Sequence, residues 1–390
     1  MRRLTDLDIE FIERHLNDDP IKLRLKHHGD DNLMFLVDQI ECRRRTASKL
    51  NATLKNRYFI FPDTLAAEQS TSDTLASFHA SLIPTGATVL DMTCGLGIDA
   101  FHCANRASSV TAIDIDRDKA TAASINAMSL GCLNVEVICT DSVAWLQSNN
   151  RKFDVIFIDP ARRGDNGQRL YALADCRPDI TACLDLLLSR CGELIVKASP
   201  MLDISAVRKE IGLPCDIIAV GSPRECKELD IIIPGNDIIN TVTIFKDGSS
   251  REFSTKDDGQ KTETKYGEPL SGMFLYEPYP AVMKAGIITH LSSRFPYLEK
   301  LHANTHLYVS HDGIDTFPGK RYCILDVTDF NKHAMKTLST TYPRMSVTTR
   351  NFPLSATELS RRMKLLENSK TILFGATSQS GPKLIVTTSC

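Results

Sequence analysis

The sequence predicts an α/β protein. A mostly parallel sheet carries helices on its faces, an all-helical region precedes it, and small α+β modules follow. Three observations lead there. From residue 88, short apolar runs alternate with helical segments. Those runs are apolar on consecutive residues, as in strands buried on both faces. The rhythm also differs on either side, helical before residue 58 and rich in loops and short strands after residue 245.

Taken in order, residues 1–57 hold a single glycine, Gly29, and their apolar residues recur at helical spacing in "LDIEFIERHL" and "NLMFLVDQIECRRR". The region ends in "ECRRRTASKLNATLKNR", with six Lys/Arg against one Glu, which reads either as a solvated helix face or as a nucleic-acid-facing stripe. "FPDTLAAEQSTSDTLASFHASLI" is a loop and then a helix, with Ser70, Ser72 or Asp73 as its N-cap. The predicted strands are "TVLDM" (88–92), "VTAID" (110–114), "VEVIC" (135–139), "DVIFID" (154–159), "GELIVKA" (192–198) and "CDIIAVG" (215–221). Between the second and third, "DRDKATAASINAMSL" is a helix stopped by Gly131. "ECKELDIIIP" and "NTVTIF" have no helix between them and read as an antiparallel hairpin closing the sheet edge. The polar segment 246–272 reads as a loop, "YEPYPAVMKAGIITHLSSRF" as a turn into a helix, and "THLYVS" as a strand. Residues 321–390 form a small α+β module with ten Lys/Arg and four Asp/Glu. The expected division is 1–80 helical, 81–250 the α/β domain, and two modules over 270–320 and 321–390.

Composition narrows the class. Hydrophobic content of 42% and charged content of 24% are those of a soluble globular protein. No apolar run reaches the roughly 18–20 residues that span a bilayer. "MRRLTDLDIEFIERH" places acids where an export leader needs an apolar core. The twelve cysteines form no CxxC pair. With Cys139, Cys183, Cys191 and Cys323 inside apolar segments, they read as buried free thiols in a reducing cytoplasm and as no metal site. The net charge of −2 discriminates between no partners, and the oligomeric state is left open.

In an open α/β sheet, ligands bind beyond the carboxyl ends of the strands. The first predicted strand leads into "LDMTCGLGIDAF", where Gly95 and Gly97 allow close approach of backbone to a ligand. Asp91, four residues before Gly95, would repel a pyrophosphate but suits a ligand with an ammonium and a sulfonium, as in S-adenosylmethionine. No GK[ST] follows, which excludes a nucleoside-triphosphate loop. The second strand ends at Asp114, about twenty residues on, where a carboxylate can accept from ribose hydroxyls. Asp116 beside it has the ordinary reading of a helix cap. After the third strand, Asp141 and Ser142 are placed to receive an adenine amino group, or serve as an N-cap. Thr93 and Ile115 complete the expected cofactor-binding set. The fourth strand ends "IDPARR": Asp159 and the pre-organised Pro160 provide acceptors, and Arg162 and Arg163 follow. Lys197, at the end of the fifth strand, is either a strand-end lysine or a substrate contact. Glycine loop, ribose acid, adenine acid and Asp-Pro turn follow successive strands in that order. Together they indicate a Rossmann-like class I methyltransferase sheet using S-adenosylmethionine. The expected catalytic set is Asp159, Pro160, Arg162 and Arg163, and Asp159 also faces the cofactor.

The motif "VLDMTCGLGIDAF" resembles motif I of RNA methyltransferases, above all ribosomal-RNA guanine-N2 enzymes and, less closely, 5-methyluridine enzymes. The whole chain is more similar to a family of bacterial methyltransferases, best represented in Bacteroidetes, with a ferredoxin-like insert and a C-terminal THUMP-like domain. The matching segments are "EQSTSDTLASFHASLI", "DMTCGLGIDAF", "IDPARR", "ECKELD", "LYEPYPAVMKAG", "KLHANTHLYVS", "FPGK" and "RNFPLSATEL". That resemblance implies an RNA substrate, rRNA or tRNA; the residues themselves supply only a basic C-terminal module.

Two departures refine the expectation. Many amino-group methyltransferases place an aromatic after Asp/Asn-Pro-Pro, where this chain has Ala161 and Arg162. The 5-methyluridine enzymes need a cysteine after the next strand, where this chain has "VKASPML". Transfer to a base amino nitrogen is therefore expected. A small-molecule or protein substrate, and an RNA-binding protein with a vestigial pocket, stand as alternatives.

Overall fold

The computed structural model describes residues 1–162, 172–256, 263–368 and 370–390. They form two compact units, Met1–Asp216 with Asp230–Asn236, and Ile217–Leu229 with Asp237–Cys390.

The first unit opens with α1 (Asp6–His15), α2 (Pro20–Lys26) and α3 (Asp31–Thr46). Thr5 and Asp8 form a capping box at the start of α1, and Asp19 and Asp30 cap the next two helices, so each chain reversal meets an acceptor for free amides. Ile9, Ile12, Leu23, Val37 and Ile40 pack into one cluster with Ile60 and Ala122. After α4 (Thr64–Gln69), α5 (Asp73–Leu82) starts from Ser72, whose hydroxyl accepts the Leu75 amide at 3.3 Å.

The α/β part then runs β1 (Thr88–Asp91), α6 (Ile98–Ala104), β2 (Ser109–Asp114), α7 (Arg117–Leu130), β3 (Val135–Cys139), α8 (Ser142–Ser148) and β4 (Phe153–Ile158). A two-residue ladder, β5 (Ala161–Arg162) with β6 (Cys176–Arg177), precedes α9 (Ile180–Arg190), β7 (Cys191–Ala198) and α10 (Ile204–Ile211). The parallel order is β7-β4-β1-β2-β3, with Leu90 of β1 opposite Thr111 and Ile156. The inner strands are buried because helices cover both faces, which is why they read as unbroken apolar runs. Gly131 ends α7 in the left-handed conformation at φ 73°.

The basic stretch before α4 is mostly a solvated face, with Arg44, Arg45, Lys55 and Arg57 exposed, and Arg43 is its exception. Arg43 is buried and donates to the carbonyls of Arg57 and Phe59 at 2.7 and 2.6 Å, and burial lowers its guanidinium to about 10. Arg45 pairs with Glu41 and Glu68, Arg57 with Glu13, and Lys49 donates to the carbonyls of Glu68 and Ser70. Most of its cations are consumed in joining the helices.

The second unit opens with β8 (Asp216–Gly221) from Ile217 on and the first half of β9 (Cys226–Ile233), followed by β10 (Ile239–Ile244) and β11 (Ser250–Ser254). The expected hairpin of β9 with β10 is not the one formed. β10 runs parallel to β8 on one side and antiparallel to β11 on the other, so both its edges are taken. Its partner β11 lies inside the segment read as a loop. The turn between them is Asp247-Gly248, with φ 84° at the glycine, a hairpin turn signal that the polar surroundings concealed.

The remainder comprises β12 (Phe274–Pro278), α11 (Pro280–Ala285), α12 (Ile288–Arg294), β13 (Glu299–His302), β14 (Thr305–Ser310), β15 (Gly319–Asp329), α13 (Lys332–Thr341), β16 (Ser346–Arg350), α14 (Ala356–Met363), β17 (Thr371–Ser378) and β18 (Gly381–Ser389). The strands form one sheet in the order β13-β14-β12-β15-β18-β17-β16, antiparallel except for the β16–β17 pair. "LYEP" is therefore a central strand rather than a turn: it pairs with β14 and β15, and its consecutive residues Leu275 and Tyr276 are both buried, one on each face.

The cysteines also depart from expectation. Cys323 is not free: it is bonded to Cys390, joining β15 to the chain end beyond β18, with the Cα atoms 5.6 Å apart. Cys139 is exposed because β3 is an edge strand, and Cys191 is only half-buried. Cys183 is buried as expected, which pushes its thiol up to about 11. Among the described residues, no helix is long and apolar enough to cross a membrane.

Candidate active site at the strand ends

The carboxyl ends of β1, β2, β3 and β4 bring most of the expected residues together. Asp91 ends β1, where it is buried and accepts the Thr93 amide at 3.1 Å. Burial, together with the charges of Asp99, Asp114 and Asp159, pushes its carboxyl well above the usual range. Gly95 (φ 53°) and Gly97 (φ 84°) turn the chain into α6. A Cβ on Gly97 would meet the Phe101 ring at 2.4 Å, whereas one on Gly95 would meet nothing within 4 Å. The first glycine thus faces open space and the second is needed for packing.

Asp114 ends β2 and closes this loop. Its Oδ2 accepts the Gly95 amide and its Oδ1 the Asp116 amide, both at 2.8 Å. A carboxylate has about four acceptor positions, so two bonds leave capacity for a ligand. Asp116 caps α7, its ordinary reading. Ile115 is 70% exposed, an apolar side chain left on the surface beside the acid. Asp141 is the N-cap of α8, accepting the Ala144 amide at 2.8 Å, and Ser142 behind it is buried.

The fourth strand end is tied directly to the first. The Asp159 amide donates to the Thr93 hydroxyl at 2.8 Å across 66 residues of sequence. Pro160 is buried beneath this turn. The backbone of Arg162 pairs with Cys176; its side chain, and Arg163 entirely, lie outside the described residues.

Sequence reasoning named Lys197 as a strand-end lysine or a substrate contact but missed the line of groups behind Asp159. Lys197 at the end of β7 reaches its Oδ2 at 2.7 Å and the Thr71 hydroxyl at 3.1 Å. Thr71 in turn donates to Asp99 at 2.5 Å, and Asp99 bonds His79 Nδ1 at 2.7 Å. Burial works to raise the Asp99 carboxyl, but the His79 charge and hydrogen bond, then Lys197 and Thr71, outweigh it and hold the group at about 2. Asp230, in the half of β9 belonging to this unit, lies 3.8 Å from His79 Nε2. The sequence carries one signal for this chain of groups: an acid inside "GLGIDA" at a position that the helix buries.

The chain matches a methyltransferase domain family over residues 89–173, the segment holding these strand ends. It further matches a ferredoxin-like domain over 274–318 and a THUMP domain-like family over 319–389. It joins a methyltransferase domain to ferredoxin-like and THUMP-like domains. A crystal structure from Porphyromonas gingivalis W83, named as a presumptive methyltransferase, superposes with a TM-score of 0.86 at 27% identity over 98% of both chains. Among curated proteins, the 23S rRNA (uracil(747)-C(5))-methyltransferase RlmC of Vibrio vulnificus YJ016 is 36% identical over 74 residues, 19% of this chain and 20% of that one. RlmC of Shewanella pealeana is 30% identical over 107 residues, 27% of this chain and 28% of that one. The chain thus spans about a fifth to a quarter of the length of these curated relatives. The methyltransferase fold places the ligand side of this domain at the strand ends just described.

Proposed function

We propose that this protein is an S-adenosylmethionine-dependent methyltransferase that modifies an amino nitrogen of a base in rRNA or tRNA, with its catalytic domain over 81–250. One observation carries the reading: Thr93 of the glycine loop holds the Asp159 amide, so the loop suited to a cofactor and the turn suited to a target form one surface. The lining fits the cofactor. Asp91, Asp114 and Asp159 converge on a space that Gly95 leaves open, and a sulfonium with an ammonium group is the kind of ligand that carboxylates attract. Asp114 would take the ribose hydroxyls, Ile115 one face of the adenine, and Asp141 with Ser142 its amino edge.

Bound there, S-adenosylmethionine supplies an electrophilic methyl group. The chain's own contribution is positioning and electrostatics. Asp159 or the Pro160 carbonyl accepts a hydrogen bond from the target amino group and aims its lone pair. The Lys197 ammonium, donating to its Oδ2, fixes Asp159 in direction. Arg162 and Arg163 hold a phosphate or base edge of the RNA.

The curated relatives are named for uracil C5 methylation, a reaction that proceeds through a cysteine. In this chain the residues after Lys197 are Ala198, Ser199, Pro200 and Met201. That favours direct transfer to nitrogen.

Calorimetry with S-adenosylmethionine, followed by transfer of a labelled methyl group to total RNA, tests the reading. Mass spectrometry of rRNA and tRNA from a deletion strain then identifies the base. Absence of cofactor binding, or labelling of protein or small molecules in place of RNA, would overturn it. Arg162→Ala with Arg163→Ala should spare cofactor binding and depress RNA methylation.

A further inference from the structure

Several segments that the strand-end site leaves unused meet elsewhere. Within the second unit they line a cavity of about 340 Å³. Arg224 comes from the turn between β8 and β9, Glu277 and Pro278 from the end of β12, and Pro280 and Met283 from α11. Asn304 and His306 flank the start of β14, Lys320 lies near the start of β15, and Arg350 with Asn351 ends β16. "YEPYP", "NTH", "GK" and "RN" are far apart in sequence, and the tertiary fold alone brings them together.

The lining has a definite chemistry. Arg224, Lys320 and Arg350 line the cavity together with one carboxylate. Glu277, whose side chain is 13% exposed, accepts from Arg350 at 2.5 and 2.9 Å, and Lys320 Nζ stands 3.9 Å from its other oxygen. This holds two cations in place, while the Arg224 guanidinium has no partner among the described residues. Hydrogen-bonding edges come from Asn304, Asn351 and His306. Nδ1 of His306 is buried without a partner among the described residues. Asn351 adopts φ 49°, a left-handed conformation rare outside glycine, with its amide donating to Thr305 at 3.1 Å. Pro278, Pro280 and Met283 supply an apolar wall.

A bare anion would use only the cations, and an acidic peptide would leave the apolar wall idle. A flat ring with polar edges and an attached phosphate uses all three kinds of group, and the volume lies in the range of small-ligand pockets. We propose that this cavity binds one unpaired nucleotide, its phosphate held by Arg224 and Lys320 and its base set between the apolar wall and the amide edges. The nucleotide is either free or part of a single-stranded RNA. The second source rests on the RNA-methyltransferase reading; the first does not.

The test uses the full chain and measures affinity for the four nucleoside 5′-monophosphates, a single-stranded RNA hexamer, a duplex of the same sequence and inorganic phosphate. Arg224→Glu with Lys320→Ala should weaken the nucleotide ligands tenfold or more and reduce the salt dependence of hexamer binding by roughly one power. Asn304→Leu, an uncharged change at an exposed position, should weaken them severalfold without altering that slope. Monophosphates binding within tenfold of the hexamer identify a free nucleotide, and a much tighter hexamer identifies RNA. The proposal is overturned by unchanged affinities in both variants, by phosphate competing as well as the nucleotides, or by duplex binding as tightly as the hexamer. Loss of S-adenosylmethionine binding in the unaltered chain would sink the methyltransferase reading alone. A hexamer that still responds to the variants would leave the cavity standing.

Discussion

The strand ends of the first unit and the cavity of the second are both polar, but they are built from opposite charges. The first gathers Asp91, Asp99, Asp114 and Asp159 around a glycine loop, with Lys197 and His79 as internal counter-charges. The second lines one cavity with Arg224, Lys320 and Arg350, the last two paired to Glu277. A cluster of like charges is costly without a ligand of the other sign, because each carboxylate raises the cost of ionising the next. The contrast teaches that a slightly acidic chain can hold a cluster of carboxylates in one unit and a cluster of cations in the other. The net charge of −2 averages the two away.

The comparison can be broken by substitution. The largest effect is expected at Asp159. Asp159→Asn should lower methyl transfer about 100- to 1,000-fold in single-turnover assays, since it removes an acceptor aimed at the reacting group. Equal turnover would end the proposed role of the turn. Next is Asp114→Ala, which should weaken S-adenosylmethionine about 10- to 100-fold by calorimetry while leaving hexamer affinity unchanged. Lys197→Met should then cost turnover about tenfold with S-adenosylmethionine affinity unchanged, because Asp159 loses the ammonium that fixes its direction. Unchanged turnover would show that Lys197 is only structural.

Two smaller effects concern stability, and their signs are opposite. Asp99 has a folded pKa of about 2, below the 3.8 of an ordinary aspartate. Its contribution is complete above the unfolded value and is lost as pH falls from about 4 towards 2. Asp99→Asn should therefore lower Tm at pH 7 and flatten the acid side of the stability curve. Asp91 is shifted the other way. Its protonated form is favoured in the fold, so that contribution is complete below the unfolded value and fades as pH rises through the folded one. Asp91→Asn should raise the Tm of the cofactor-free protein at pH 7 while weakening S-adenosylmethionine. A lower Tm would contradict the strain assigned to that carboxylate. Last, Arg43→Ala should cost roughly 1–3 kcal/mol by leaving two buried carbonyls unsatisfied, yet spare hexamer affinity. It thereby separates the spent basic stretch from the cavity.

Much of this was legible in the residues. The six predicted strands lie within one residue of β1, β2, β3, β4, β7 and β8; the inner ones, covered on both faces, advertise themselves as apolar runs. The order of Asp91, Gly95, Asp114, Asp141 and Asp159 was readable since each lies at or within a few residues of a strand's carboxyl end. The misreadings share one cause. β11, the pairing of β10 and the strand before α11 depend on which edge a segment finds, and polarity along the chain does not encode edges. Likewise the charge of "ECRRRTASKLNATLKNR" said nothing of Glu13 and Glu68, which neutralise it from other helices.

By itself, then, the sequence determined the α/β class, the parallel strands and the acids at their ends, all products of local periodicity and short-range spacing. Tertiary structure alone decided that Lys197 stands behind Asp159, that Thr71, Asp99 and His79 continue the line inward, and that Arg224, Glu277, Asn304, Lys320 and Arg350 share a cavity. Contacts across tens of residues are chosen by burial and by the need to pair each buried polar group. Those requirements are met only when the whole chain has closed.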